Sequence, residues 1–365
     1  MTTSDYTGIN AISDDGTRAT GSAGPGAILW TQANGLQTLR SLSGSRVPWG
    51  GYGISADGQV IVGELDRPIG YEAFKWSATT GTVPLGTLPS DPNQGVGTGA
   101  SRDGSVLVGF TGGGSAHAEA FRWTEATGLQ SLGDVPGGFA RSHAMDVSRD
   151  GNTVVGAATP EGNTTSAARW TMDLGWELLD VPWYAESSMA EAVSDDGDTI
   201  VGYLNFPSGY SGFRWKEGEG ILALPGFAGG AEQSMAHDIT SDGFTVVGSV
   251  FGASFSGPFI WNPDIGMQLL WNVLLGQGID PALDGWSSLG SANTISGDGR
   301  FIGGSGWRNG VAEGWIAEIT PFPGAPVPSG SAVPEASTRL VAVGMLGLAA
   351  FEFLARRNRR ESPRA

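Results

Sequence analysis

Cysteine is absent from the chain, which excludes disulfide bridges, thiol catalysis and thiolate metal centres together. Histidine is scarce: His117, His143 and His237 fall at unrelated points, and no nucleophile triad or facial metal set can be assembled from them. Charged residues are only 16% of the sequence and mostly of one sign, giving a formal net charge of −17. Residues 322–365 hold six arginines against three glutamates, so this tail is +3 and the rest is −20. Such a body repels polyanions, and nucleic-acid binding by counterion release is excluded. The glycine-rich "GFTGGGSAHAEA" from Gly109 leads into a strand pattern instead of a helix, so it is no phosphate cradle.

What the chain has in quantity is glycine, 60 residues, and a repeated phrase. "VSRDGNTVVG" from Val147 recurs as "ISDDGTRATG" from Ile12, "ISADGQVIVG" from Ile54, "ASRDGSVLVG" from Ala100, "VSDDGDTIVG" from Val193, "ITSDGFTVVG" from Ile239 and "ISGDGRFIGG" from Ile295. Its aspartates (Asp15, Asp57, Asp103, Asp150, Asp196, Asp242, Asp298) are spaced 42 to 47 residues apart until the last step of 56. That period belongs to β-propeller blades.

Each unit continues with an aromatic phrase such as "AFKW" at Trp76, "AFRW" at Trp123 or "GFRW" at Trp215, then a glycine with spaced apolar residues, as in "GLQSL" from Gly128. Four short strands per unit follow. The Ser-x-Asp-Gly stretch reads as a hairpin turn, in which Asp accepts from nearby amides and Gly supplies a positive φ. Phe121 and Trp123 flank Arg122 and share one strand face, which must be buried on the neighbouring unit. Small residues before each turn (Ser142, Ala144, Ser188, Ala190) suit the crowded strand nearest an axis.

The predicted fold is therefore all-β: a seven-bladed β-propeller of four-stranded antiparallel blades over residues 1–321, followed by a linker and one C-terminal hydrophobic helix. The apolar spacing from Met267 to Leu275 predicts a short helix on the last blade, and Trp315 in "GWIAEI" fits either the Phe or the Trp register. After that phrase no fourth strand follows. The expectation is that an N-terminal strand closes the ring, either Thr2–Thr7 or one upstream of Met1.

These phrases resemble the bacterial extracellular HAF-repeat family, with Phe74 and Phe121 at its Phe and Glu-Ala in place of His-Ala before each. The resemblance covers about Gly8 to Ile319 and implies an extracellular propeller without an assigned activity.

Residues 322–332 form a Pro/Gly/Ser linker, and residues 333–360 resemble a PEP-CTERM sorting signal, with residues 361–365 as a polar tail. Val333, Pro334 and Glu335 match the sorting tripeptide, and Ala336 stands where a second proline is usual. The apolar run from Leu340 to Ala355, with Leu340, Val343, Leu346, Leu348, Phe351 and Leu354, is the expected membrane segment. As a helix it spans roughly 24 Å, short of a roughly 30 Å hydrocarbon core, so it is a marginal permanent anchor. Arg356, Arg357, Arg359 and Arg360 form the basic stop that holds its end in the cytoplasm. The resemblance implies an exosortase-type processing enzyme as partner. "MTTSDYTGIN" shows no basic start before an apolar stretch, so a leader is expected upstream of Met1.

No catalytic residue, cofactor or metal ligand is expected. The repeated Asp reads as a turn former rather than a calcium ligand, since such an ion wants six to eight oxygens, although "SDDG" at Ser13 and Ser194 adds a second acid. Lys75, Arg122, Arg169 and Arg214 read as pairing with acids across the strand surface. Trp49, Trp176, Trp183, Trp271, Trp286 and Trp307 lie outside the repeated position and are divided between core packing and a sugar-binding face. The functional expectation is an exported, surface-displayed binding or scaffold propeller, partnered by extracellular polysaccharide or envelope proteins. The alternative is a propeller lyase or hydrolase acting on a glycan. Irregular polar residues at one mouth of the channel would favour that enzyme.

Overall fold

The computed structural model describes residues 6–24, 26–39, 48–112, 118–139, 141–161, 164–224, 233–252, 256–322 and 339–344. Within them the strands, numbered along the chain, form seven four-stranded antiparallel sheets, each a simple meander. The sheets are the blades of a seven-bladed β-propeller. The innermost strands are β1 (Thr7–Ile12), β5 (Pro48–Ile54), β9 (Val96–Ala100), β13 (Ser142–Val147), β17 (Ser187–Val193), β21 (Gln233–Ile239) and β25 (Trp286–Ile295).

Each fixed letter of the repeated phrase has a physical cause. Ser148 Oγ donates to Asp150 Oδ1 at 2.7 Å, and Asp150 Oδ1 also accepts from Asn152 N at 3.0 Å. The amide of Thr153 donates back to Ser148 Oγ at 3.0 Å, so a buried hydroxyl and an exposed carboxylate close the hairpin. Gly151 has φ 76°, and a Cβ there would lie 2.6 Å from Val106 Cγ2 of the preceding blade. Gly156, at the end of the phrase, faces the His143 carbonyl so closely that no Cβ fits. Hairpin chemistry and the approach of neighbouring strands thus select the same residues from blade to blade, with the hydroxyl of Thr240 serving for serine in blade six.

Between blades the aromatic phrase supplies the core. Phe121 is wholly buried, and with Trp123 it packs against Val60 and Val62 of the preceding blade. The flanking cations reach across to the next blade: Arg169 bonds the acid Glu217 at 2.9 Å as expected, whereas Lys75 sits over the Trp123 ring and Arg122 donates to the Gly151 carbonyl. Arg214 reaches Glu219 at 3.9 Å and the Gly243 carbonyl at 3.4 Å. The predicted helix over 267–275 is present as α1 (Leu270–Gly276), between blades six and seven, with Leu270 and Leu274 buried.

Blade seven corrects two expectations. Its outer strand is β28 (Arg339–Val343), paired antiparallel with β27 (Val311–Glu318) from Gly314↔Val343 to Glu318↔Arg339. The closing strand thus comes from the C-terminal side of the chain and not from the expected N-terminal segment, of which Thr7 belongs to the inner strand of blade one. The C-terminal hydrophobic helix is likewise unsupported: Leu340 and Val343 lie on a strand, and no helix among the described residues is long and apolar enough to cross a membrane. The edge of β27 needs a ladder partner, and a short β-branched apolar run satisfies it as readily as it would start a helix. Val333, Pro334, Glu335, Leu346, Leu348, Phe351, Leu354, Arg356, Arg357, Arg359 and Arg360 lie outside the described residues.

The ring closes by face packing between blades seven and one. Ile9, Ile12, Phe301, Ile316 and Val343 share one buried cluster. Thr7 Oγ1 donates to the Val343 carbonyl at 2.8 Å and accepts from Gly314 N at 3.0 Å.

Candidate functional site

Every innermost strand carries a β-bulge in which one extra residue turns toward the axis. The extra residues are Asn10, Tyr52, Thr98, Met145, Glu191, His237 and Asn293, and all seven line one axial cavity of about 600 Å³. Four residues further along each strand, the variable letter of the Ser-x-Asp-Gly turn lines the mouth: Asp14, Ala56, Arg102, Arg149, Asp195, Ser241 and Gly297. The scaffold repeats from blade to blade, and the axial positions do not.

Much of this lining stitches blades together. Asn10 Nδ2 donates to the Gly51 carbonyl, Thr98 Oγ1 to that of Ala144, and Asn293 Nδ2 to that of Ile9, all at 2.8 to 2.9 Å. At the mouth, backbone bonds run from Asp14 N to Ala56 O, from Arg102 N to Arg149 O and from Asp195 N to Ser241 O. Arg149 crosses the opening: one arm of its guanidinium holds Asp14 at 2.7 Å, and the other holds Asp195. The second acid of the two "SDDG" turns is therefore half of an ion-paired bridge.

Six carboxyl groups and two guanidiniums line the cavity. Five of the carboxyls are already held. Asp14 and Asp195 sit on Arg149, and Glu64 accepts from the Tyr52 hydroxyl at 2.8 Å. Asp146 accepts from Val193 N at 3.0 Å, and Asp238 from Ile239 N and Ile295 N at 2.8 Å each, again joining one blade to the next. Glu191 alone has no hydrogen-bond partner among the described residues.

Withdrawal from water governs these acids. Burial raises Asp146 to about 7, helped by the charge of Asp238, and raises Asp238 to about 6 against the pull of its two amide donors. Burial raises Asp14 to about 6 although Arg149 opposes it. Glu191 is pushed up to about 7 by burial alone. His237, bonded to Ser249 Oγ, is lowered to about 4 by the same cause, and His143, in edge contact with Phe110, is also lowered to about 4. Both histidines are neutral near pH 7, and His117 lies outside the described residues.

A carboxyl whose folded pKa lies above its unfolded value stabilises the fold when protonated, and that contribution fades as pH rises through the window between the two. For Glu191 the window runs from its usual value near 4.5 to about 7. Glu191→Gln keeps the shape and removes the desolvated charge. It is expected to stabilise the protein on the order of 2 kcal/mol at pH 8 and to leave stability at pH 4 almost unchanged, read from urea unfolding at both values.

Sequence reasoning named none of the axial residues as a site. Their signal was present as the positions that vary when the repeats are aligned. Asp14 and Asp195 were visible as extra acids, but nothing local indicates that an arginine three blades away from Asp14 comes between them.

No family model matches the chain, and no curated protein matches it. Among solved structures, it is similar to an oligogalacturonate lyase in complex with manganese at 14% identity, covering 85% of this chain and 88% of that one with a TM-score of 0.55. A puromycin hydrolase mutant matches at 13% identity over 85% of this chain and 51% of its own, with a TM-score of 0.53. TolB from Acinetobacter baumannii matches at 12% identity with a TM-score of 0.46; the aligned region covers 71% of this chain and 61% of that protein. At these identities the likeness concerns the fold.

Proposed function

We propose that this chain is an exported β-propeller that works by binding, a rigid scaffold of the cell envelope or extracellular matrix whose axial cavity takes a small polar ligand. The observation that carries the reading is the division of labour along each inner strand: framework positions repeat, while the seven bulge positions hold six different residue types and converge on one cavity. A cavity of about 600 Å³ is within the range of small-molecule sites, and its excess of carboxyls favours a ligand with a positive group at Glu191. Export rests on the acidic body and on the resemblance at Val333, Pro334 and Glu335; because Arg339–Val343 completes blade seven, removal of the chain beyond that tripeptide by a processing enzyme is not part of the proposal.

The lyase or hydrolase alternative needs carboxyls free to exchange protons with substrate, in hydrolases as a facing pair. Here Asp146 and Asp238 are committed to backbone amides, and Asp14 and Asp195 to Arg149. One unpaired carboxyl favours recognition over turnover.

Thermal unfolding in the presence of small amines, amino sugars and neutral polyols tests this reading. Amine-bearing compounds are expected to raise the midpoint of the native protein and not that of Glu191→Gln. Turnover of an oligosaccharide that Glu191→Gln abolishes would replace the binding reading with the enzyme one.

A further inference from the structure

In each blade the Ser-x-Asp-Gly turns sit at one end of the ring, and the second hairpin and the link to the next blade sit at the other. Exposed aromatic rings among the described residues occur only at that other end. Trp183, Tyr184 and Tyr210 gather at blade five, while Tyr6, Trp49, Phe139, Phe251 and Trp307 stand singly around the ring. The turn end has exposed Met172 and Leu174 but no exposed aromatic ring.

The blade-five group is a built platform. Trp183 and Tyr184 occupy the apex of a turn closed by Ala185 N donating to Pro182 O at 3.0 Å. Glu186 N, donating to Asn205 O at 2.8 Å, fixes that turn to the neighbouring hairpin. Tyr184 stacks on Phe206 with centroids 5.6 Å apart, and Trp183 meets Tyr184 edge-on at 5.7 Å. Trp183 is 93% exposed and Tyr184 60%, so both rings stand open to solvent beside that contact. Beside these rings lie amides and hydroxyls: Asn205 bonded to Ser187 Oγ, and Gln233 beside the Tyr210 amide.

We infer that this end face binds a neutral glycan chain, with Trp183 and Tyr184 as its stacking platform. Flat rigid rings interleaved with short neutral hydrogen-bonding groups match a pyranose, which presents a C–H face and a rim of hydroxyls. The negative body selects against acidic polysaccharides and anionic membrane surfaces. The inference rests on the binding reading above but uses a different site from the axial cavity.

The test is affinity electrophoresis through native gels containing dextran, a β-1,3-glucan, a soluble cellulose derivative without charge, mannan or xylan. Polygalacturonate and anionic phosphatidylglycerol vesicles serve as the opposing arms. At least one neutral glycan is expected to retard the native protein, and Trp183→Ala and Tyr184→Ala each to weaken that binding about tenfold or more. Trp183 is so exposed that its removal leaves folding intact, and Tyr184→Ala provides the second reading. Retardation by none of the neutral glycans, preference for polygalacturonate or vesicles, or unaltered binding by both variants overturns the inference. Release of reducing ends from the bound glycan would sink the binding reading and leave the platform standing. Loss of glycan binding with intact amine binding at Glu191 does the reverse.

Discussion

Ending the chain after residue 338 is expected to cost about 3–5 kcal/mol of stability relative to ending it after residue 344. The difference is β28. Val343 is 2% exposed and packs with Ile9 and Ile12 of blade one, while Leu340 and Ala342 lie against the core of blade seven. Arg339 bonds Glu318 at 2.9 Å, and Glu318 is held by Arg300 as well. Loss of the strand also uncovers the edge of β27, which then becomes a template for association. Urea unfolding of the two truncations, with light scattering to detect aggregation, checks both effects. Equal stability of the two would mean that Arg339–Val343 contributes nothing to blade seven.

Trp315→Ala is expected to destabilise the protein by about 3–5 kcal/mol and Trp315→Phe by about 1–2 kcal/mol. Trp315 pairs with Gly304, just as Phe121 pairs with Gly109 in blade three, and Ala317 occupies the position of Trp123. The last blade therefore carries its tryptophan in the Phe register. There it is wholly buried, and its indole N–H donates to the Leu289 carbonyl at 2.7 Å. Phenylalanine restores the ring that other blades use and forfeits the hydrogen bond and part of the buried indole volume. Alanine opens a cavity at the contact between blade seven and α1. Similar losses for the two variants, measured by urea unfolding, would mean that a phenyl ring at this position contributes nothing and that the indole's hydrogen bond carries the effect.

The repeating parts of this molecule were legible in the sequence because their causes are local. A turn that needs a hydroxyl, Asp and Gly at fixed positions leaves the same pattern seven times, with Thr240 replacing serine in blade six, and the Phe–x–Trp alternation names the buried face directly. Blade closure was not legible. The run from Leu340 is apolar apart from Glu352, so its pattern serves a helix or a strand equally, and over Arg339–Val343 the choice was made by the open edge of β27. The tryptophans outside the repeat show the same limit. Trp176 and Trp286 are buried, while Trp49, Trp183 and Trp307 are exposed, although Trp286 and Trp307 lie at the same end of blade seven, so the difference is made by what each ring packs against. The cavity was hidden for the opposite reason from the core: its residues are the ones that fail to repeat.

Glu191 is the hinge of the functional reading, because it is the cavity carboxyl that no described neighbour holds. Carbon-13 NMR of the protein labelled at glutamate side-chain carboxyls, assigned with Glu191→Gln, follows its ionisation in place. A titration midpoint of about 7 is expected for Glu191, moving downward when an amine ligand is added. A midpoint at the ordinary glutamate value, indifferent to amines, would contradict a secluded, ligand-ready carboxyl on the axis.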